Sequence, residues 1–277
     1  MNSLNAFKSF TNSLPTLNYT MPALFVGHGS PMNGIEDNEF SRRWSSIAKE
    51  IPTPAAVLVV SAHWFTKGTQ ITAMDFPKTI HDFGGFPEAL YQVQYPAPGN
   101  PNLAKETASM IHTTHVELDH DWGLDHGTWT IIRHMYPNAD IPVLQLSIDY
   151  TKGPVFHYEL AKELYDLRKK GVLIIGSGNM VHNLRMIAWD KLNAPNYGFD
   201  WAKEMNNKFK QLILNDEHKS LINYHSIGKE AILAIPTPDH YIPLIYTLGL
   251  KGKNEKVSFF NDKAVGGSLT MTSVKIG

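Results

Sequence analysis

The sequence predicts an α/β protein built on a mostly parallel sheet covered by helices on both faces. Three observations carry that reading. Short apolar runs rich in β-branched residues recur along the chain without polar alternation, as strands buried on both faces do. Amphipathic stretches of helical length lie between them. The chain has 277 residues and is 43% hydrophobic and 11% aromatic, enough to build one sizeable core.

Taken in order, Met1–Thr20 has a single Lys and is rich in Asn, Ser and Thr, so it reads as a flexible leader (1–20) ahead of one catalytic-size domain (21–277). Pro22–Val26 is the first strand, Glu39–Ile51 an amphipathic helix and Ala55–Val60 a second strand. Tyr95-Pro-Ala-Pro-Gly-Asn-Pro101 is a breaker-rich loop within the domain, since regular patterns continue on both sides. Asn102–Thr113 then reads as a helix, Ile141–Ile148 as a strand, Phe156–Lys170 as a helix and Val172–Ile175 as a strand. Phe199–Asn215 is a further helix, Ala231–Ile235 a fifth strand, and the alternating segment Lys256–Ile276 supplies edge strands.

Composition removes several functions. With 13 His and no Cys, disulfides, thiolate zinc sites, iron–sulfur clusters and cysteine nucleophiles are excluded, so a metal must sit on His, Asp, Glu or backbone oxygen. Lys+Arg 25 against Asp+Glu 26 leaves a net charge of -1, giving no field to draw nucleic acid or an anionic membrane. No segment approaches the ~18 uninterrupted apolar residues of a membrane span. A cytoplasmic protein is the default expectation. Zincin, Walker-loop and nucleophile-elbow patterns are missing. Gly176-Ser177-Gly178-Asn179 can cradle a phosphate after a strand, but that signal is short and common.

The histidines fall where such folds bind ligands. Four of the apolar runs end and meet His28, His63, His182 or His240 within a few residues, inside small-residue or proline turns. In a parallel sheet these turns share the carboxyl edge, so distant positions converge. A neutral imidazole binds Zn, Fe, Cu or Ni through one nitrogen while an acceptor holds the other. Asp239 and Asn183 are candidate acceptors for His240 and His182. His126, in a compact turn before an apolar helix with Asp125 beside it, is a fifth candidate. His81 sits in an aromatic loop that reads equally as a cover over a pocket or as an ordinary turn. His112, His115 and His120 suit a helix end, and His134, His157, His218 and His225 suit surface or partly packed helix positions. Trp64 and Tyr241 are placed to stack on a ring, or simply to pack. Arg133 and Arg185 read as ordinary surface cations.

Five motifs in order carry a resemblance: Val26-Gly27-His28-Gly29-Ser30-Pro31-Met32, Ser61-Ala62-His63-Trp64, Leu124-Asp125-His126-Gly127-Thr128-Trp129, Gly176-Ser177-Gly178-Asn179-Met180-Val181-His182-Asn183-Leu184 and Pro238-Asp239-His240-Tyr241. From Met21 onward the chain resembles the LigB-like class III extradiol ring-cleavage dioxygenases, and within them the 4,5-DOPA dioxygenase group. The resemblance implies a single-domain three-layer α/β/α sandwich around a mixed sheet. It implies insertion of O₂ into a catechol at a divalent metal, Fe(II) for activity or Zn(II) as bound, with DOPA yielding a seco-DOPA semialdehyde. His28 and His63 match metal ligands, and His240 matches a third position that is a glutamate in the broader family. His182 matches an acid/base or additional ligand, and His126 a histidine facing substrate or oxygen. A zinc-dependent hydrolase and a non-catalytic metal-containing binding protein are the alternatives.

Overall fold

The computed structural model describes residues 14–277. Ten strands are present among them: β1 (Ala23–Gly27), β2 (Ala56–Thr66), β3 (Thr69–Thr72), β4 (Val116–Asp119), β5 (Val143–Asp149), β6 (Val172–Gly178), β7 (Val257–Phe260), β8 (Ala264–Val265), β9 (Leu269–Thr270) and β10 (Ser273–Ile276). Eight of them form one sheet in the order β4-β3-β5-β2-β6-β1-β10-β7, and β8 pairs only with β9. At its centre β5, β2, β6 and β1 run parallel. β10 joins β1 antiparallel, β7 joins β10 antiparallel, and β3 joins β5 antiparallel. The expected mostly parallel, mixed sheet is therefore what forms, and the C-terminal segment supplies an edge.

Successive strand residues point to opposite faces, and both faces here are buried. Leu24 and Val26 of β1, Val57 and Val59 of β2, and Leu173 and Ile175 of β6 share one core with Trp44 and Ile47 of helix α1 (Glu39–Glu50). Their neighbours Ala56, Leu58, Val60, Val172 and Ile174 pack on the other face. This is why the central strands read as continuous apolar runs. Helix α2 (Pro101–Met110) starts at Asn100, whose side chain accepts from Leu103 N–H. Helix α3 (His126–Met135) starts at Asp125, which accepts from Thr128 N–H. On the second face lie α4 (Pro154–Glu163) and, after α5 (Asp200–Leu214) and α6 (Lys229–Ala234), α7 (Ile242–Gly249).

Two expected elements differ. Ala231–Ile235 is not a strand but most of α6. Ala231 and Ala234 are buried three residues apart while Ile232 and Leu233 face outward, 51% and 39% exposed. A five-residue apolar run has no period of its own, and good helix formers with no ladder partner resolve it as a turn and a half of helix. The predicted helix Phe156–Lys170 divides at Leu164 into α4 and a short helix, Tyr165–Lys169. Of the expected leader, residues 1–13 lie outside the described residues, while Leu17 N–H donates to Lys169 O at 2.7 Å. Among the described residues no helix is long and apolar enough to cross a membrane.

Candidate metal centre

Five histidines from the carboxyl edge of the sheet meet at one point. His28 follows the last residue of β1, and His126 is the first residue of α3. His63 lies inside β2 rather than in a turn after it. The pairing of β2 with β5 slips between Val60 and Phe65, and this irregularity carries His63. His182 follows the end of β6, and His240 precedes α7. The approach of His240 depends on Gly178, where a Cβ would fall 2.1 Å from His240 O; at Gly176 one would fall 2.2 Å from Pro243 O. The glycines of the 176–179 segment thus admit the first turn of α7 against β6, and the phosphate-cradle reading is replaced by close packing.

The ring nitrogens that His28, His63 and His126 offer all lie within 4.8 Å of one another. His28 Nε2 and His63 Nε2 are 3.1 Å apart. Ligand bonds of about 2.1 Å put neighbouring nitrogens of one ion roughly 3.0–3.4 Å apart, so this pair fits a shared metal. The His240 ring lies 5.2 Å from that of His28 and 5.1 Å from that of His63, and His182 stacks on His240 at 3.6 Å. His28, His126 and His240 are nearly shielded from solvent, at 2%, 5% and 8% exposure.

Acceptors behind the rings set their orientation. The Ser177 hydroxyl donates its only proton to Gly127 O at 2.5 Å, so its oxygen accepts from His28 Nδ1 at 3.0 Å. That leaves the lone pair of His28 on Nε2, facing His63. His240 Nδ1 is hydrogen-bonded to Asp239, as the adjacency in sequence suggested. Asp82 Oδ2 stands 3.0 Å from His126 Nδ1 and 3.4 Å from His63 Nδ1, while its Oδ1 accepts from the His126 backbone N–H at 2.9 Å.

Burial pushes His28 and His63 well below the ordinary imidazole range, and the neighbouring imidazoles lower them further. His182 is lowered by burial and by His240, with Asp239 partly opposing. These rings are therefore neutral at physiological pH, the form that binds metal. Burial alone would raise Asp82 and Asp239, yet the hydrogen bonds and charge of His126 and His240 respectively hold both carboxyls below their usual range. Imidazoles backed by a hydroxyl and carboxylates form a donor set suited to a divalent first-row metal.

Other sequence candidates take structural places. Asp125 accepts from Ser61 Oγ at 2.7 Å and from Gln145 Nε2 at 2.6 Å, and makes no hydrogen bond with His126 Nδ1. The Asn183 side chain donates to Leu233 O at 2.8 Å rather than serving His182. Trp64 stacks on Trp122 at 5.8 Å, and Tyr241 is buried against Phe209 with its hydroxyl on Leu221 O. Arg133 donates to Gly34 O, and Arg185 is exposed. His157, expected at or near the surface, is fully buried, with Nδ1 3.1 Å from Tyr246 Oη. Asp82 and Ser177 are the residues that motif reading missed. Asp82 sits 44 positions from His126, a separation that has no periodic signature.

The family model for the catalytic LigB subunit of aromatic ring-opening dioxygenase matches residues 21–273. A protein of Escherichia coli K12 named "4,5-DOPA dioxygenase extradiol" is 46% identical over 93% of this chain and 95% of its own. One of the same name from Beta vulgaris is 36% identical over 91% of this chain and 94% of its own. The crystal structure of an uncharacterized E. coli K12 protein superposes with a TM-score of 0.79 at 41% identity, covering 93% of this chain and all of that one. Fold, histidine cluster and matches together define an extradiol ring-opening dioxygenase. The chain belongs to the LigB family.

Proposed function

We propose that this enzyme opens a catechol ring outside the two hydroxyl-bearing carbons, inserting both atoms of O₂, and that DOPA is among its substrates, giving a seco-DOPA semialdehyde by 4,5-cleavage. The observation that carries the reading is the convergence of five imidazoles at the carboxyl edge of the sheet. The names of relatives at 46% and 36% identity support the choice of DOPA.

In this reading residues 21–277 form one catalytic domain, working in the reducing cytoplasm, where a ferrous ion keeps its oxidation state. His28, His63 and His240 hold the metal. Each has its Nδ1 facing an acceptor, Ser177, Asp82 and Asp239 respectively. Fe(II) is the working ion, and Zn(II) can occupy the same nitrogens. The metal, when bound, supplies Lewis acidity that favours the catecholate and redox chemistry that engages O₂. His182 takes the proton of a catechol hydroxyl and later returns one to the opened product. It is neutral, mostly buried and stacked beside His240. His126, beside His63 at a ring separation of 3.9 Å, hydrogen-bonds substrate or oxygen.

Anaerobic reconstitution of metal-free protein with Fe(II) or Zn(II), followed by DOPA or catechol and then O₂, tests the proposal through oxygen uptake and a yellow product. Iron-dependent uptake is expected. Silence with iron alongside zinc-dependent ester cleavage refutes it in favour of a hydrolase, and silence in both refutes it in favour of a binding protein.

A further inference from the structure

Asp82 lies in a loop that sequence reading noticed only for His81 and its aromatic neighbours. The loop is tied to the start of α3: Ile80 N–H donates to Leu124 O at 2.7 Å, and Trp129 Nε1–H donates to Ile80 O at 2.9 Å. Those ties hold one carboxylate against two of the five histidines. Its Oδ1 accepts from His126 N–H at 2.9 Å. Its Oδ2 faces His126 Nδ1 at 3.0 Å and His63 Nδ1 at 3.4 Å. His126 Nδ1 is buried and its N–H points off the line to Oδ2, completing no aligned hydrogen bond, and His63 Nδ1 completes none at 3.4 Å.

A carboxylate only accepts hydrogen bonds, so His126 Nδ1, 3.0 Å from Oδ2, carries the proton, and in the neutral ring the lone pair stays on Nε2. His63 differs: its Nε2 is hydrogen-bonded to His28 Nε2 at 3.1 Å, and with the His28 proton on Nδ1 that contact takes the His63 proton on Nε2 until an ion replaces it. We propose that Asp82 is a positioning residue that fixes His126 in the Nδ1–H form and stands ready to accept from His63 Nδ1–H when an ion takes the two Nε2 atoms. Through its backbone contact it also couples that choice to the seating of α3. The His126 tautomer follows from Asp82 alone; the consequence for metal binding rests on reading the cluster as the metal centre.

Asp82→Asn is the informative variant. Its amide oxygen can keep the His126 backbone N–H, but its NH₂ group then confronts the His126 Nδ1–H, and the ring responds by moving its proton to Nε2. Asp82→Ala, which removes the acceptor without adding a donor, is the second variant should the amide disturb folding. Nitrogen-15 NMR of the metal-free proteins reads the tautomer directly. Wild type is expected to show His126 protonated on Nδ1. Asp82→Asn should shift it to Nε2 and Asp82→Ala should mix the two forms, while His28, held by Ser177, stays Nδ1–H in all three. A Co(II) titration should show affinity about 10–100-fold weaker in both variants. An unchanged His126 tautomer in both variants overturns the assignment to Asp82. Wild type that takes up no Co(II) overturns the metal-centre reading instead.

Discussion

Ser177→Ala removes one hydroxyl from the floor of the site. Ser177 is fully buried and bridges two groups, accepting from His28 Nδ1–H at 3.0 Å and donating to Gly127 O at 2.5 Å. The variant keeps the backbone of β6; Gly127 O retains its place in the ladder of α3, accepting from Ile131, so the group left without a partner is His28 Nδ1. An orphaned buried polar group costs about 1–3 kcal/mol. For a protein of this size that corresponds to about 2–10 °C in Tm. His28 also loses the acceptor that keeps its lone pair on Nε2, so metal affinity should fall about 10–100-fold, as for other losses of a ligand's hydrogen-bond partner. Urea unfolding of the metal-free protein measures the first quantity and Co(II) titration the second. Stability within 0.5 kcal/mol of wild type (roughly the spread of neutral surface substitutions) together with unchanged affinity would refute the tautomer argument for His28.

Gly178→Ala places a Cβ 2.1 Å from His240 O, so β6 and the turn before α7 must part; the expected cost is about 1–3 kcal/mol, with weaker metal binding than wild type by titration. Arg168 is buried and makes a bidentate pair with Glu255 while also donating to Met21 O and Leu250 O. Arg168→Ala should lower unfolding free energy by about 3–5 kcal/mol, and a loss under 1 kcal/mol in urea melts contradicts the bridging role. Burial holds His157 down at about 4. The unfolded chain therefore protonates first, so its contribution is full above pH ~6.5 and is lost as pH falls towards 4. Over that window the loss is about 3 kcal/mol, and His157→Gln should flatten the stability–pH curve by that amount, measured by urea melts at stepped pH.

Much of this architecture was legible because both faces of the central strands are buried. Continuous apolar runs such as Ala55–Val60 and Val172–Ile175 identify such strands from sequence, and the carboxyl-edge rule then gathers His28, His63, His182 and His240. Ala231–Ile235 escaped the same reasoning because five apolar residues have no measurable period. Its exposed Ile232 and Leu233 show that apolarity there did not report burial. His240 still reached the site, delivered by the turn before α7 and by the close approach at Gly178. Asp82 was invisible for another reason: its role arises from a loop held across the start of α3, and no local pattern encodes that tie. His157 shows the converse, a polar residue on a helix whose buried partner, Tyr246, lies 89 positions away.

The central claim is that the histidine cluster supports insertion of both oxygen atoms into a catechol ring. It is tested most directly by supplying ¹⁸O₂ to the Fe(II)-reconstituted protein with DOPA and reading the product by mass spectrometry, beside His28→Ala treated identically. The account predicts a ring-opened product carrying two labelled atoms from wild type and none from the variant, allowing for exchange of the aldehyde oxygen with water. An intact ring after oxygen exposure, or equal product from His28→Ala, would contradict it.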